Sequence, residues 1–154
     1  GFQGIINDAQ SATVTLTGSA TVSEAVGSTP LTVTLNAGAG NTIEDAASVV
    51  VNLADGSASY AGGTGDYFFN GPNNTATVNF AAGSADGATR TVPVSIREDV
   101  LVEASESFAA SLGGSSGAVL AAGPGATLTI EDNEAATVSF QAPGSTVGEA
   151  STPH

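Results

Sequence analysis

Hydrophobic and polar residues alternate along most of the chain. The clearest run is Leu31–Leu35, where Leu31, Val33 and Leu35 are separated by Thr32 and Thr34. Successive side chains of a strand point to opposite faces, so this period of two predicts strands with one apolar face. The same reading gives strands at Thr13–Leu16 (Val14 and Leu16 inward), around Val49, Val51 and Leu53, and at Thr75–Phe80 (Ala76, Val78 and Phe80 inward). It continues at Thr89–Ile96 (Val92, Val94 and Ile96 inward), Ser107–Leu112 (Phe108, Ala110 and Leu112 inward) and Thr127–Ile130. Pro93 has no N–H to donate, which places its strand at an edge or turns Pro93 away from the ladder. Thr21–Glu24 is expected to continue the first strand after a break at Gly18-Ser19, and Gly113–Gly125 to form a hairpin loop. Asn70-Gly71 is a turn signal. No segment holds a 3.6-residue period over ten residues. Turns recur about every ten residues, which gives about seven to nine strands, the pattern of an antiparallel β-sandwich or barrel.

Composition adds exclusions. The chain has no Cys and no Lys, 15 acidic residues against Arg90 and Arg97, and a net charge of −13. Disulfides, thiolate metal sites and thiol nucleophiles are ruled out. A nucleic-acid partner needs a basic face, and an anionic membrane would repel the chain, so neither nucleic-acid binding nor membrane insertion is expected. The only His is the last residue, His154, read as a terminus or tag remnant; no Ser-His-Asp set exists for nucleophilic catalysis, and the chain is not expected to be an enzyme. Paired carboxylates could in principle hydrolyse glycosides, but they fall where metal ligands are wanted.

The acids are clustered. Ser95–Phe108 carries Glu98, Asp99, Glu103 and Glu106 within nine residues, between the end of one strand and the start of the next. Like charges packed into one turn repel unless a cation joins them, and Ca²⁺ takes six to eight hard oxygen ligands. A solvated acidic turn is the alternative. Glu44, Asp45 and Asp86 are read as solvated loop acids. Asp66 and Tyr67 are expected to close the Gly-rich loop Asp55–Tyr67, with Tyr67 packed and Asp66 capping the turn.

The end of the chain restates its beginning. Ser11–Leu16 is matched by Ala135–Phe140, and Thr21–Ala25 by Thr146–Ala150. The spacing is that of a whole domain. It predicts one module at 12–134, the tail of an upstream copy at 1–11 and the truncated start of a downstream copy at 135–154.

Four landmarks then occur in order: Val22-x-Glu24, Asp55-Gly56-Ser57-Ala58 closing on Gly65-Asp66-Tyr67, Glu98-Asp99 leading to Glu103-x-x-Glu106-x-Phe108, and Ile130-Glu131-Asp132. Over residues 12–134 this resembles the Calx-β family. The resemblance implies an immunoglobulin-like β-sandwich with Ca²⁺ at one end. It implies as ligands Glu24, Asp55, Glu98, Asp99, the backbone carbonyl of Leu101, Glu103, Glu106, Glu131 and Asp132. Val100 and Asn133 stand where Ca²⁺-rich members carry acids, which implies fewer or looser ions. The expected role is a calcium-binding spacer repeat of a secreted or cell-surface adhesin, extracellular or on a bacterial cell surface, with neighbouring repeats of the same chain as partners. The alternatives are a module recognising a carbohydrate or a cell-surface receptor, and a regulatory calcium sensor.

Overall fold

The computed structural model describes residues 11–18, 20–69, 74–117, 119–121, 123–139 and 144. Among them are ten strands and no α-helix: β1 (Ala12–Thr17), β2 (Thr21–Ser23), β3 (Ser28–Asn36), β4 (Ala47–Asp55), β5 (Tyr67–Phe69), β6 (Thr75–Phe80), β7 (Thr89–Ile96), β8 (Glu106–Ser116), β9 (Val119–Ala121) and β10 (Ala126–Glu131). They form two five-stranded sheets, β5-β7-β3-β1-β9 and β2-β10-β8-β4-β6, that pack as a sandwich. Most neighbours are antiparallel; β9 runs parallel to β1 and β2 parallel to β10. The turn expected at Asn70-Gly71 and most of the residues read as terminal repeat fragments (1–10, and the tail beyond 139 apart from Gly144) lie outside the described residues.

Period-two alternation becomes the core. Val14, Leu31, Val33, Leu35 and Val94 of one sheet meet Val49, Val51, Phe80, Phe108 and Leu128 of the other, all at most 1 % exposed. Each such side chain contributes about 1.5–3 kcal/mol by leaving water. Ala76, Val92 and Leu112 face the same way and are half-buried at its margin. Tyr67 is fully buried, its ring stacked on Phe108 at 4.0 Å between centroids. Pro93 points outward opposite Pro30. The β5 pairing stops at Val94 and the β1 pairing stops at Thr32, so neither proline interrupts a ladder.

Two expectations are corrected. Thr21–Ser23 does not extend β1; it crosses to the other sheet and pairs with β10. The crossing turns at Gly18, whose φ of 146° and closeness to the Leu31 side chain leave no room for a Cβ. The 113–125 stretch is not simply a loop. β8 runs on to Ser116, with a bulge opposite Val49/Val50, and β9 then joins the first sheet beside β1. Three strands are only three residues long, too short for alternation to register, which carries the count to ten.

Candidate metal centre

The ladders bring one set of strand ends to a common pole. Ser28 is opposite Ser95, Tyr67 opposite Ile96, Asp55 opposite Phe108, Ile130 opposite Glu106, and Glu131 beside Ser23. The acidic turn after β7, the short 3-10 turn Glu24–Val26 and the segment after β10 therefore converge there.

Glu24 is only 7 % exposed, and its Oε1 accepts the backbone N–H of Asp99 at 2.9 Å. Asp99 in turn accepts the Leu101 N–H at 2.7 Å, folding the turn tightly. Asp132 Oδ2 accepts the Glu103 N–H at 2.7 Å, and its Oδ1 accepts the Glu134 N–H at 3.1 Å. Asn133 Nδ2 donates to Glu98 Oε1 at 3.0 Å. Carboxylate oxygens of Glu24, Asp132 and Glu134 all lie within 4.8 Å of one another. Glu24, Asp66, Glu103, Glu106 and Asp132, with Arg97, Ala104 and Ile130, line a cleft of about 10 Å³, about the room one water-sized sphere needs.

This crowding perturbs the carboxyls. Burial raises Glu24, helped by the charges of Asp99, Glu98 and Asp132 and opposed by the Asp99 N–H. Burial, then Asp66, Glu103 and Glu24, push Glu106 up to about 7. Glu134 is pushed up to about 7 chiefly by the adjoining Asp132 carboxyl, which is itself lowered by Glu134 and by the Glu103 and Glu134 N–H groups. Without a cation, then, burial and mutual repulsion disfavour the charged forms of Glu24, Glu106 and Glu134.

The residues suit Ca²⁺. The donors are all hard carboxylate oxygens, and Glu134 Oε2 is buried without a hydrogen-bond partner. Ca²⁺–oxygen distances of about 2.3–2.6 Å let a single ion touch oxygens up to about 5 Å apart. Glu24, Asp132 and Glu134 would hold such an ion, beside the cleft that Glu24 and Asp132 line with Glu103 and Glu106.

Not every expected ligand reaches the cleft. Glu98 and Asp99 are at its rim, held through Asn133 and Glu24. Asp55 is at the same pole, but its Oδ1 accepts the Tyr60 N–H at 2.9 Å and a short hydrogen bond from the Tyr67 hydroxyl. Leu101 is 57 % exposed on the turn. Glu131 is exposed on the face opposite the buried Ile130. Exposure alternates along 130–134, with Ile130, Asp132 and Glu134 more buried than Glu131 and Asn133, so Glu134, missed from sequence, joins the centre while Glu131 stays exposed. That parity was available in Ile130-Glu131-Asp132-Asn133-Glu134. Asp66 does close its loop, accepting the Ser59 N–H at 2.7 Å, but it also lines the cleft. Gly65 permits this closure, because a Cβ there would collide with the Ser59 carbonyl. At the opposite pole Asp86 is more than a solvated acid: its Oδ1 accepts the N–H groups of Ala37 and Gly38 at 2.9 and 3.0 Å.

The sequence matches no family model. A search of curated proteins finds no match either. Solved structures do match. The apo-form Calx CBD1 domain superposes with a TM-score of 0.66 at 24 % identity, covering 80 % of this chain and 99 % of that one. The calcium binding domain CBD12 of CALX1.1 gives 0.62 at 27 % identity over 78 % of this chain, and CBD12 from CALX1.2 gives 0.59 at 28 % over 75 %. The chain spans 45 % and 41 % of those two, less than half of each. By its fold, an all-β sandwich of immunoglobulin-like type, this chain stands with the Calx-β domains.

Proposed function

We propose that residues 12–134 form a calcium-binding structural module. Ca²⁺ would order the acidic turn and the segment after β10, and so stiffen the joint to a following copy. The observation that carries this is the convergence of carboxylate oxygens of Glu24, Asp132 and Glu134 within 4.8 Å of one another, with Glu134 Oε2 buried and unpartnered. The likeness to domains described as calcium binding supports it. An extracellular setting, in a repeat of a secreted or cell-surface adhesin, suits the module. Extracellular modules bind at about 10⁻⁴–10⁻³ M, so external calcium fills them while internal levels do not. The role is binding rather than catalysis.

A regulatory sensor would use the same site and differ in what it is attached to. The carbohydrate reading has less support: sugar sites use exposed aromatic rings, and Tyr60 is half-buried, tilted against Tyr67 at 6.5 Å, with its hydroxyl buried.

Calorimetric titration of the chelator-stripped chain with CaCl₂ tests the proposal. We expect saturable binding and, at tenfold excess over Kd, about 1.4 kcal/mol of added stability, or roughly 3–6 °C in Tm for a domain of this size. No heat and no shift at 10 mM calcium would refute it.

A further inference from the structure

β6 is the outermost strand of its sheet and has one neighbour, β4. The other strands at sheet edges, β2, β5 and β9, are three residues long. β6 has six, with no charge, no proline and no break in its register with β4. A short length, a charge, a proline or a bulge is what usually blunts a free edge, and β6 has none of them. The Leu53 N–H donates to the Asn74 carbonyl at 2.9 Å, which turns Asn74, Ala76, Val78 and Phe80 toward β4. The N–H and C=O groups of Thr75, Thr77 and Asn79 therefore point out of the sheet. Arg90 meets the last of them, its Nε donating to the Asn79 carbonyl at 3.2 Å. The other outward groups, those of Thr75 and Thr77 and the Asn79 N–H, have no partner among the described residues.

Arg90 is pinned where that edge ends. Its Nη1 donates to the Thr89 carbonyl at 2.8 Å, and the guanidinium covers the buried Phe80 ring, 5.2 Å from its centroid. Two of the N–H groups of the guanidinium are spent on these carbonyls, and the rest are left to donate. A guanidinium already held in place gives up little freedom on meeting a carboxylate. Beside it is a groove of about 380 Å³, lined by Arg90, Ser48, Asn79, Phe80 and Ser116 with small alanines between them. Ser48 and Ser116 share one hydrogen bond at 2.7 Å, so whichever donates, the other keeps an O–H to offer. No acid lines the groove.

We propose that the β6 edge and this groove form one docking site, for an extended peptide segment that carries a single carboxylate. The segment adds as a strand beside Thr75 and Thr77, and its carboxylate meets Arg90 where the ladder is already closed. An antiparallel strand, the more stable pairing, brings its N-terminal end to Asn79, so the acid belongs at that end. Charge sets the rest: with a net charge of −13 the module repels a strongly acidic partner, and equally a second copy of itself. The groove lies at the end of β4 away from Asp55, and so away from the acidic pole. The inference does not rest on calcium binding.

The test is an NMR titration of the 154-residue chain with a short N-acetylated peptide of alternating threonine and valine, bearing one aspartate at its N-terminal end. We expect the amide signals of Thr75, Thr77 and Asn79 to move saturably, and equally in calcium and in EDTA. The peptide with asparagine in place of aspartate should bind about two- to fivefold more weakly, the worth of a part-exposed ion pair. Arg90→Gln should erase that difference. Thr77→Pro removes an outward N–H that the β4 ladder does not use, and should abolish binding of both peptides while the core signals stay in place. If that variant does not fold, the Arg90→Gln comparison decides alone. No movement at β6 at millimolar peptide, equal affinity for the two peptides, or undiminished binding in folded Thr77→Pro overturns the proposal. Sedimentation that finds the chain already paired with itself, and released by Thr77→Pro, also overturns it by assigning the edge to a second copy.

Discussion

Glu24 separates the two roles of the acidic pole, because one of its oxygens is structural and its charge is not. Oε1 accepts the Asp99 N–H at 2.9 Å from a side chain only 7 % exposed. Glu24→Gln keeps an acceptor oxygen in that place and removes the charge. In the metal-free protein this relieves a buried carboxylate that Asp99, Glu98 and Asp132 all repel. It also weakens one charge-assisted hydrogen bond by about 1 kcal/mol. The two nearly offset, so the Tm in EDTA should hold or rise by up to about 3 °C. Glu24→Ala instead strands the Asp99 N–H, which costs about 1–3 kcal/mol, and should lower the Tm in EDTA by roughly 2–13 °C. Both variants lose a ligand and should bind Ca²⁺ at least about tenfold more weakly, or about 1.4 kcal/mol. Scanning calorimetry in EDTA and calorimetric titration with calcium read the two effects separately. Wild-type affinity in Glu24→Gln would refute the metal centre. Equal destabilisation of both variants in EDTA would refute the hydrogen-bond argument.

Three further outcomes are expected. Glu134→Gln should weaken calcium binding severalfold while Glu131→Gln, on the outer face, leaves it within twofold; titration calorimetry giving the reverse order would invalidate the parity assignment. Arg90 and Arg97 are the only tryptic sites, and cleavage after Arg97, followed by mass spectrometry as release of 98–154, should slow several-fold when calcium orders the turn that follows; equal rates would count against that ordering. The metal-free module should be more stable at pH 5.5 than at pH 7.5. Glu106 and Glu134 hold protons up to about 7 in the folded state but only to about 4.3 unfolded. Their contribution is full below the lower value and is lost as pH rises through the higher. Asp132, lowered, has the opposite sign but acts only at more acidic pH. A higher Tm at pH 7.5 in EDTA would contradict this.

Much of the fold was legible because alternation maps directly onto burial in a two-layer sandwich: Leu31, Val33 and Leu35 are buried as their spacing requires. β2 and β9 were not read correctly, because three residues carry no period and their partners, β10 and β1, are set by tertiary contacts far along the chain. The centre was legible in its residue types. Which acids meet depends on register and parity, so Glu24, Glu103, Glu106 and Asp132 reach the cleft while Asp55 is engaged by Tyr60 and Tyr67. Asp66 was read only as a turn cap; the position of β5 beside β7 is what aims it inward as well.

The chain enters at Ala12 on one pole and leaves β10 at Glu131 on the other. Tension along a string of such units would pull β1 and β10 lengthwise against their neighbours, including the parallel pairs β1–β9 and β10–β2. That geometry loads many hydrogen bonds together in shear instead of peeling them singly. The two three-residue strands, small as they are, would act as mechanical clamps at the points where a tethered protein is stretched.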